Sequence, residues 1–336
     1  MSSRRSPVPG NPLRVAAFVV SIDTELAWGV HDDGRDAIEA LGPTRAHDER
    51  EVVAGLLEMF QRHAVPATWA FVGHLLLESC QVVEGRPHPD LIRPDYEWHD
   101  GDWFRLDPGS SVKTDPMWYA PDMFEMVRGA TPRHEVGCHT FSHILAGDPG
   151  CSARAFASDL MACSEAAAAR GIVLRSFVFA RNSVGHLEVL ADAGYLSYRG
   201  HRPRPFPHLK GPSGAMARLV DRISPREGSA VFPEPAGAMW NIPATNFYGP
   251  WRRPRWMPHS IWISRQIRRL ELAARTRSLY HLWFHPEDLL RDTGTAFAGL
   301  DRILERVVAL RDRGEIETVT MGGLAENLQA ASATGD

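Results

Sequence analysis

The chain has 336 residues, and neither its composition nor its charge departs far from that of ordinary globular proteins. Hydrophobic residues make up 44% and charged residues 23%, which excludes the biased compositions of disordered, collagen-like and coiled-coil proteins. The 37 basic and 41 acidic residues give a formal net charge of -4, so the positive field typical of nucleic-acid-binding proteins is missing. We therefore expect a globular protein that does not bind nucleic acid.

Strand and helix patterns alternate along the chain. Residues 14–22 form a continuous run of mostly β-branched and apolar residues, which is typical of a strand buried on both faces. Further strands are predicted at 67–72, 134–138, 175–179, 279–284 and 317–321. Helices are predicted at 48–63, 152–170, 184–193, 260–276 and 296–313. This alternation indicates an α/β fold built on a parallel sheet or barrel.

Two stretches interrupt this alternation, at about 81–116 and about 199–258. We predict that both are loop insertions in a single domain over residues 13–330, because neither an internal repeat nor a linker divides the chain. Residues 1–12 and 331–336 are predicted to be tails.

The sequence carries no pattern of a secreted or membrane-spanning protein. The apolar run near the N-terminus is too short for a signal peptide, and no segment approaches 18 consecutive apolar residues. We expect a cytoplasmic protein without stable membrane insertion. The sequence leaves the oligomeric state open, and a homo-oligomer is one of the possibilities. The four cysteines lack paired C-x-x-C spacing and are too few for a disulfide scaffold, so free thiols are expected.

Two histidines, His139 and His143, follow directly on a predicted strand. If the chain turns into a helix there, the two imidazoles lie on one helix face and can share a metal ion with a carboxylate and a water. Because the chain has 15 histidines, a pair at this spacing can also arise by chance, and structural core histidines remain the alternative.

A second pair, His281 and His285, has the same spacing within a predicted strand. Four residues of a strand span about 13 Å, too far for both imidazoles to bind one ion. His285 alone lies at the carboxyl end of the strand, where a barrel gathers its active-site residues. It is a candidate acid or base, and a hydrogen-bonded structural histidine is the alternative.

The first predicted strand ends in two carboxylates, Asp23 and Glu25. Residues at i and i+2 of a strand share one face, so both side chains could act at one metal and its water, one of them as general base. An exposed turn with a helix-capping aspartate is the alternative.

Together these motifs, SIDTE, ATWAFVG, HEVGCHTFSH, RNSVG and LWFHPEDL in that order, resemble the polysaccharide deacetylases of carbohydrate esterase family 4. The resemblance extends from about residue 14 to about residue 329, where TMGGLAENL is similar to the closing strand and helix of that family. It implies a distorted (β/α) barrel and a divalent metal, commonly zinc, that serves the hydrolysis of N-acetyl groups on amino sugars.

The resemblance also implies individual roles. Asp23 matches the base carboxylate, and His139 and His143 match the imidazole ligands of the metal. His285 matches the histidine that protonates the leaving amine. Arg181 matches the arginine that holds the base carboxylate in place, with a rim salt bridge as the alternative.

The sequence departs from the family pattern in three places. The usual adjacent aspartates are replaced by Asp-x-Glu, so Glu25 becomes the third predicted ligand. Ser183 stands where the arginine motif has proline, and the motif that orients the acid histidine has no clean match. Trp28 and Trp240 are the tryptophans that we predict to contact the substrate, although a large buried tryptophan is more often part of a core.

We therefore predict a metal-dependent N-deacetylase acting on a small N-acetyl amino sugar. Zinc is the expected ion, although the ligand set accepts other first-row metals. Without a secretion signal, a cytoplasmic glycoside or a nucleotide-linked or lipid-linked biosynthetic intermediate is favoured as the substrate.

A group of arginines could bind the diphosphate of such a substrate, or could merely form a solvated basic face. Its members are Arg252, Arg253, Arg255, Arg265, Arg268 and Arg269. The alternatives are a ureide or cyclic-amide hydrolase on the same barrel and a non-catalytic carbohydrate-binding protein.

Overall fold

Strand β1 (Ala16–Thr24) lies in the middle of the sheet, and all nine of its residues are buried. The fold was established from a computed structural model that describes residues 11–201, 230–254 and 256–334. Successive residues of β1 point to opposite faces. Phe18 and Val20 pack in the larger apolar cluster with the surrounding helices, whereas Ala17 and Val19 pack in a smaller cluster on the inner face. Burial on both faces explains the uninterrupted apolar sequence.

Ten of the strands in the described residues form one curved sheet, and β3 and β4 form a separate hairpin. The strands after β1 are β2 (Thr68–Phe71), β3 (Val82–Val83), β4 (Arg86–Pro87), β5 (Glu135–Cys138), β6 (Ser176–Val178), β7 (Ser197–Arg199), β8 (Glu234–Ala236), β9 (Met239–Asn241), β10 (Asn246–Phe247), β11 (Leu279–Phe284) and β12 (Ile316–Thr318). Their order is β10-β11-β1-β2-β5-β6-β7-β9-β8, and β12 pairs with β1. Every pairing along this sheet is parallel except that of β8 with β9.

Helices connect the parallel strands. They are α1 (Arg35–Ala40), α2 (Arg45–His63), α3 (Pro121–Gly129), α4 (Ala153–Ala169), α5 (Leu187–Asp192), α6 (His259–Thr276), α7 (Thr293–Arg311) and α8 (Met321–Thr334). Short 3-10 helices follow several strands at their carboxyl ends, among them Leu26–Gly29 after β1, Gly73–Leu76 after β2 and Pro286–Asp292 after β11. None of the described helices combines the length and the apolar character that crossing a bilayer requires.

The predicted elements lie close to the observed ones, but several shorter elements were not predicted. The predicted insertion at 199–258 is not a simple loop, because its described part supplies β8, β9 and β10 to the sheet. Helices α1 and α3, strand β7 and the β3–β4 hairpin were not predicted either. Helix α8 continues to Thr334, past the predicted end of the domain at residue 330. Residues 1–10 of the predicted N-terminal tail, residues 202–229 and 255 of the insertion, and the last two residues lie outside the described residues.

Helix α8 closes one end of the curved sheet. Met321 and Leu324 pack in the inner apolar cluster, and the first backbone amides of the helix donate to strand side chains. Met321 N donates to Thr68 Oγ1 at 2.9 Å, and Gly322 N donates to Glu135 Oε2 at 2.9 Å. Because this end is filled, the carboxyl ends of the strands at the opposite end are left to form a site.

Candidate active site

The polar side chains predicted from sequence meet at the carboxyl ends of β1, β5 and β11. Asp23 lies near the end of β1 and Glu25 directly after it, His139 and His143 follow β5, and His285 follows β11. These strands are near neighbours in the sheet, so residues far apart in sequence converge at one rim. Glu25 and His285 keep 14% and 18% of their side chains exposed, which leaves the site open to solvent.

Glu25, His139 and His143 form a compact group of potential metal ligands. Glu25 Oε1 lies 2.8 Å from His139 Nε2 and 3.4 Å from His143 Nε2. One ligand atom from each residue lies within 4.8 Å of the others. Two imidazoles and one carboxylate are a common protein ligand set for a catalytic divalent metal.

The segment between the two histidines is not the helix on which the spacing argument depended. Thr140 and His143 have positive φ angles of 63° and 60°, and the chain forms an irregular loop after β5. The buried carboxylate of Asp159 holds this loop by accepting from Phe141 N at 2.6 Å and Ser142 N at 3.1 Å. The loop, rather than helical spacing, brings the two imidazoles together, with ring centroids 5.2 Å apart.

Hydrogen bonding leaves the imidazoles available to a metal. His139 Nδ1 donates to the Val178 carbonyl at 2.8 Å, which directs the lone pair of Nε2 toward Glu25. Both ring nitrogens of His143 are buried without a hydrogen-bond partner, and its side chain is 1% exposed. Such orphaned nitrogens are costly unless they bind something. The three residues therefore fit a bound cation, and their assignment as ligands stays a prediction.

His143 also faces a second pair of polar residues. Ligand atoms of His31, Asp32 and His143 lie within 4.8 Å of one another. Burial and the neighbouring His143 lower the pKa of His31 to about 3, so its ring is neutral. His143 thus lies between two groups, and Glu25 with His139 is the one at the solvent-accessible rim.

The candidate base Asp23 is held by Arg199, not by Arg181. Arg199 Nη1 and Nη2 donate to Asp23 Oδ1 and Oδ2, each at 2.6 Å, in a two-pronged pairing. Both residues are buried, and the guanidinium also lies 4.5 Å from the Trp283 ring centroid. Burial by itself would raise the pKa of Asp23, but the nearby positive charges of Arg199, His139 and His285, with Arg199 first among them, together outweigh burial and lower the pKa.

The predicted role of Arg181 is therefore wrong. Its guanidinium donates to Asp32 at 2.6 Å and Asp33 at 2.8 Å, and its side chain is 41% exposed. The rim salt bridge was the correct alternative. Arg181 has a positive φ of 49° at the end of β6, and its neighbour Asn182, not Arg181 itself, contacts Arg199.

Stability measurements distinguish the two arginines. Because Arg199→Met leaves the Asp23 carboxylate buried without its partner, the free energy of unfolding should fall by about 3–5 kcal/mol. Arg181→Met should cost less, about 1–2 kcal/mol, because Arg181 and its partner Asp33 are 41% and 55% exposed and only its other partner, Asp32, is buried. Urea denaturation of both variants measures the difference. Equal losses would contradict the assignment of Arg199 as the partner of Asp23.

His285 is oriented by Asp288, which the sequence did not reveal. Asp288 Oδ2 accepts from His285 Nδ1 at 2.8 Å and from the His285 backbone amide at 3.0 Å. Nε2 therefore faces the site, 3.7 Å from Asp23 Oδ2 and 3.5 Å from Glu25 Oε1. Burial opposes the charged ring, but the carboxylates of Glu25, Asp288 and Asp23 together outweigh burial and raise the pKa of His285 well above its usual value.

Neither predicted substrate tryptophan lies at the rim. Trp28 is fully buried in the main core, where its ring packs against His31, His74 and Trp118. Trp240 packs against the inner apolar cluster. Trp28 follows the core alternative, whereas Trp240 is half-buried and its contact with substrate stays a prediction. The tryptophan at the site is Trp283, whose ring centroid lies 5.8 Å from that of His285.

Two other predictions agree with the contacts. His281 Nδ1 donates to the Ile242 carbonyl, and Ser21 Oγ lies 2.9 Å from its Nε2, so both nitrogens are engaged inside the sheet. Cys138 is a buried free thiol, as predicted for the four cysteines, with its sulfur 3.3 Å from that of Cys163.

Arg199 and Asp288 are the functional candidates that sequence reasoning missed. Arg199 is the last residue of β7, and assigning residue 199 to an insertion concealed that strand end. Asp288 lies three residues after His285 in the HPED segment, where a capping pattern is the available signal.

No family model matches the sequence, and the search of curated proteins found no match. Solved structures match it in fold. A protein from Mycobacterium smegmatis assigned as a polysaccharide deacetylase has a TM-score of 0.61 and 14% identity, covering 98% of this chain and 95% of that chain. One assigned likewise from Pseudomonas aeruginosa PAO1 has a TM-score of 0.57 and 12% identity, with 95% and 94% covered. Puue allantoinase has a TM-score of 0.58 and 11% identity, with 97% and 95% covered.

At these identities the likeness is one of fold. The chain has the α/β fold of polysaccharide deacetylases, a distorted (β/α) barrel. The predicted fold class is confirmed.

Proposed function

We propose that this chain is a cytoplasmic, metal-dependent N-deacetylase that hydrolyses the acetamide of an N-acetyl amino sugar. The observation that carries the proposal is the convergence of Glu25, His139 and His143 beside Asp23 and His285 at one open rim. A ligand group, a base and an acid within a few ångströms of one another are what amide hydrolysis requires.

Glu25, His139 and His143 would hold the cation, and we propose zinc because this ligand set suits it. When bound, a divalent cation supplies Lewis-acid polarisation to an amide carbonyl and acidifies water.

Asp23 acts as the base. Arg199 keeps its carboxylate ionised and fixed in direction, so it can take a proton from the attacking water. The Trp283 ring covers the Arg199 guanidinium and lies beside His285. It therefore restricts access of bulk water to the Asp23–Arg199 pair.

His285 acts as the acid. Asp288 accepts from Nδ1 and stabilises the protonated ring, so Nε2 can deliver a proton to the leaving nitrogen. An amine is a poor leaving group without that proton.

His285→Ala should lower kcat by roughly 10²-fold, the lower end for loss of a general acid, because solvent reaches this position and can replace the lost proton donor. Metal content should not change. Steady-state acetate release with elemental analysis measures both quantities, and the exposed His47→Ala serves as the matched control. An unaltered kcat in His285→Ala would remove it from the mechanism.

A basic cavity beside the site supports a substrate that carries a diphosphate, as on a nucleotide-linked or lipid-linked sugar. The cavity has a volume of about 460 Å³ and is lined by Arg252, Arg253, Arg265 and Arg269. Phe247 lines it as well, and its ring centroid lies 6.3 Å from that of His285. Arginine pairs well with phosphate oxygens. Arg255 lies outside the described residues.

The test of the proposed function is acetate release from a panel of N-acetylated sugars, nucleotide sugars and glycosides by the zinc-loaded enzyme. We expect turnover that chelation abolishes and zinc restores. The fold of the allantoinase favours one competing activity, ring opening of a cyclic ureide, so the same panel includes such a compound. Ring opening without acetate release would replace the deacetylase assignment, and binding of sugars without hydrolysis would indicate a carbohydrate-binding protein.

A further inference from the structure

A second group of metal-ligating side chains lies outside the site described above. His74, Cys80, His88 and Asp107 each offer one ligand atom, and these four atoms lie within 4.8 Å of one another. Trp28 separates the group from the active site, since its ring centroid lies 4.7 Å from His74 and 5.0 Å from His31. The predicted free thiol of Cys80 is thus one member of a mixed Cys, His and Asp set.

The spacing within the group matches a tetrahedron. Asp107 Oδ2 lies 3.2 Å from His74 Nε2, 3.2 Å from His88 Nε2 and 3.6 Å from Cys80 Sγ. Four ligands at zinc bond lengths around one ion would be separated by about 3.3 Å between nitrogen and oxygen and about 3.6 Å between oxygen and sulfur. The three distances from Asp107 Oδ2 to the other ligand atoms therefore agree with the ligand-to-ligand distances of a tetrahedral zinc site.

The two imidazoles provide a second, independent observation. The side chains of His74 and Asp107 are fully buried, and His88 Nε2 is buried as well. Neither His74 Nε2 nor His88 Nε2 forms a hydrogen bond, although each lies 3.2 Å from the Asp107 carboxylate. A simple hydrogen-bonded cluster would direct an N–H at that oxygen, whereas a shared ion draws the lone pairs to a common point.

Neighbouring groups hold the ligands in place. His74 Nδ1 donates to the Trp118 carbonyl at 3.1 Å, which leaves Nε2 unprotonated, the arrangement typical of a metal-bound histidine. The second carboxylate oxygen, Asp107 Oδ1, accepts from Gly109 N at 3.0 Å. Tyr119 Oη lies 3.1 Å from Cys80 Sγ and can donate to a thiolate.

We propose that these four residues bind a structural zinc ion, with Cys80 losing its thiol proton to solvent on binding. Four protein ligands without an open position define a structural rather than a catalytic site. His74 belongs to the barrel, in the 3-10 helix after β2, whereas His88 and Asp107 belong to the insertion at 81–116. The ion therefore joins the insertion to the barrel.

Metal analysis of the purified full chain tests the proposal. We expect two zinc ions per chain in the unaltered protein and one fewer in Cys80→Ser and in His88→Ala. Cys151→Ser, a buried thiol outside the cluster, should retain the unaltered stoichiometry. Unchanged zinc content in both cluster variants would overturn the site.

Cobalt substitution tests the ligand set without any variant, in case Cys80→Ser does not fold. The active site offers nitrogen and oxygen ligands alone, so a thiolate-to-cobalt charge-transfer band can arise at the second site. We expect this band in the cobalt-loaded protein and in cobalt-loaded His139→Ala. Its absence, or a zinc-edge absorption spectrum without a sulfur neighbour at about 2.3 Å, would contradict the proposal.

Discussion

Asp23→Asn should lower kcat for acetate release by roughly 10²- to 10⁴-fold, because the amide of asparagine cannot accept the proton of the attacking water. The substitution keeps the shape of the side chain, so Arg199 can still donate one hydrogen bond to it. The loss should therefore fall on turnover, with the zinc content unaltered. Steady-state kinetics and elemental analysis of the same preparation measure both.

Asp33→Asn is the matched control for this experiment. Asp33 is an exposed carboxylate at the same rim, 2.8 Å from Arg181, and contacts no member of the proposed catalytic group in the described residues. We expect its kcat to equal that of the unaltered enzyme. Full turnover by Asp23→Asn would rule out its assignment as the base, and equal losses in both variants would point to a general effect of rim charge.

His139→Ala should remove one equivalent of zinc and reduce activity by roughly a thousandfold or more, since a catalytic metal supplies several kcal/mol and each 1.36 kcal/mol is a tenfold change in rate. His139 is fully buried and touches Glu25, so no other side chain can take its place without moving the strand end. The expected loss of one equivalent of zinc is the same whether or not the site formed by His74, Cys80, His88 and Asp107 also binds zinc.

Three measurements on this variant test the prediction: its zinc content, its activity at increasing zinc concentration and its thermal unfolding. His47→Ala, an exposed histidine on α2, should retain full zinc and activity. Retained stoichiometric zinc in His139→Ala would remove the residue from the ligand set. Loss of zinc with retained turnover would instead contradict the metal-dependent mechanism.

The elements of the barrel could be predicted from local sequence. The run at 14–22 predicted β1, and the pattern at 279–284 predicted the bounds of β11. These predictions succeed because burial on both faces of a parallel strand leaves a continuous apolar signature. Strands β8, β9 and β10 could not be predicted in the same way, since they are two or three residues long and lie among prolines and polar residues.

The candidate site was predictable where its residues follow long strands. Asp23, Glu25 and His285 were found because the ends of β1 and β11 were evident. The approach of His139 to His143 was argued only for the case of a helix, whereas a loop with positive φ angles at Thr140 and His143 brings the rings together. Side-chain spacing alone does not reveal such a loop.

The sequence by itself determined the order of the longer strands and helices, the ends of the long strands and the types of chemical group that those ends carry. The tertiary structure alone decided which arginine meets Asp23, which carboxylate orients His285 and which tryptophans are core. Arg199 and Asp23 are 176 residues apart, and their pairing depends on the curvature that brings the ends of β1 and β7 within reach across the sheet. The same holds for His74, Cys80, His88 and Asp107, whose spacing in sequence carries no metal motif until the insertion folds against the barrel.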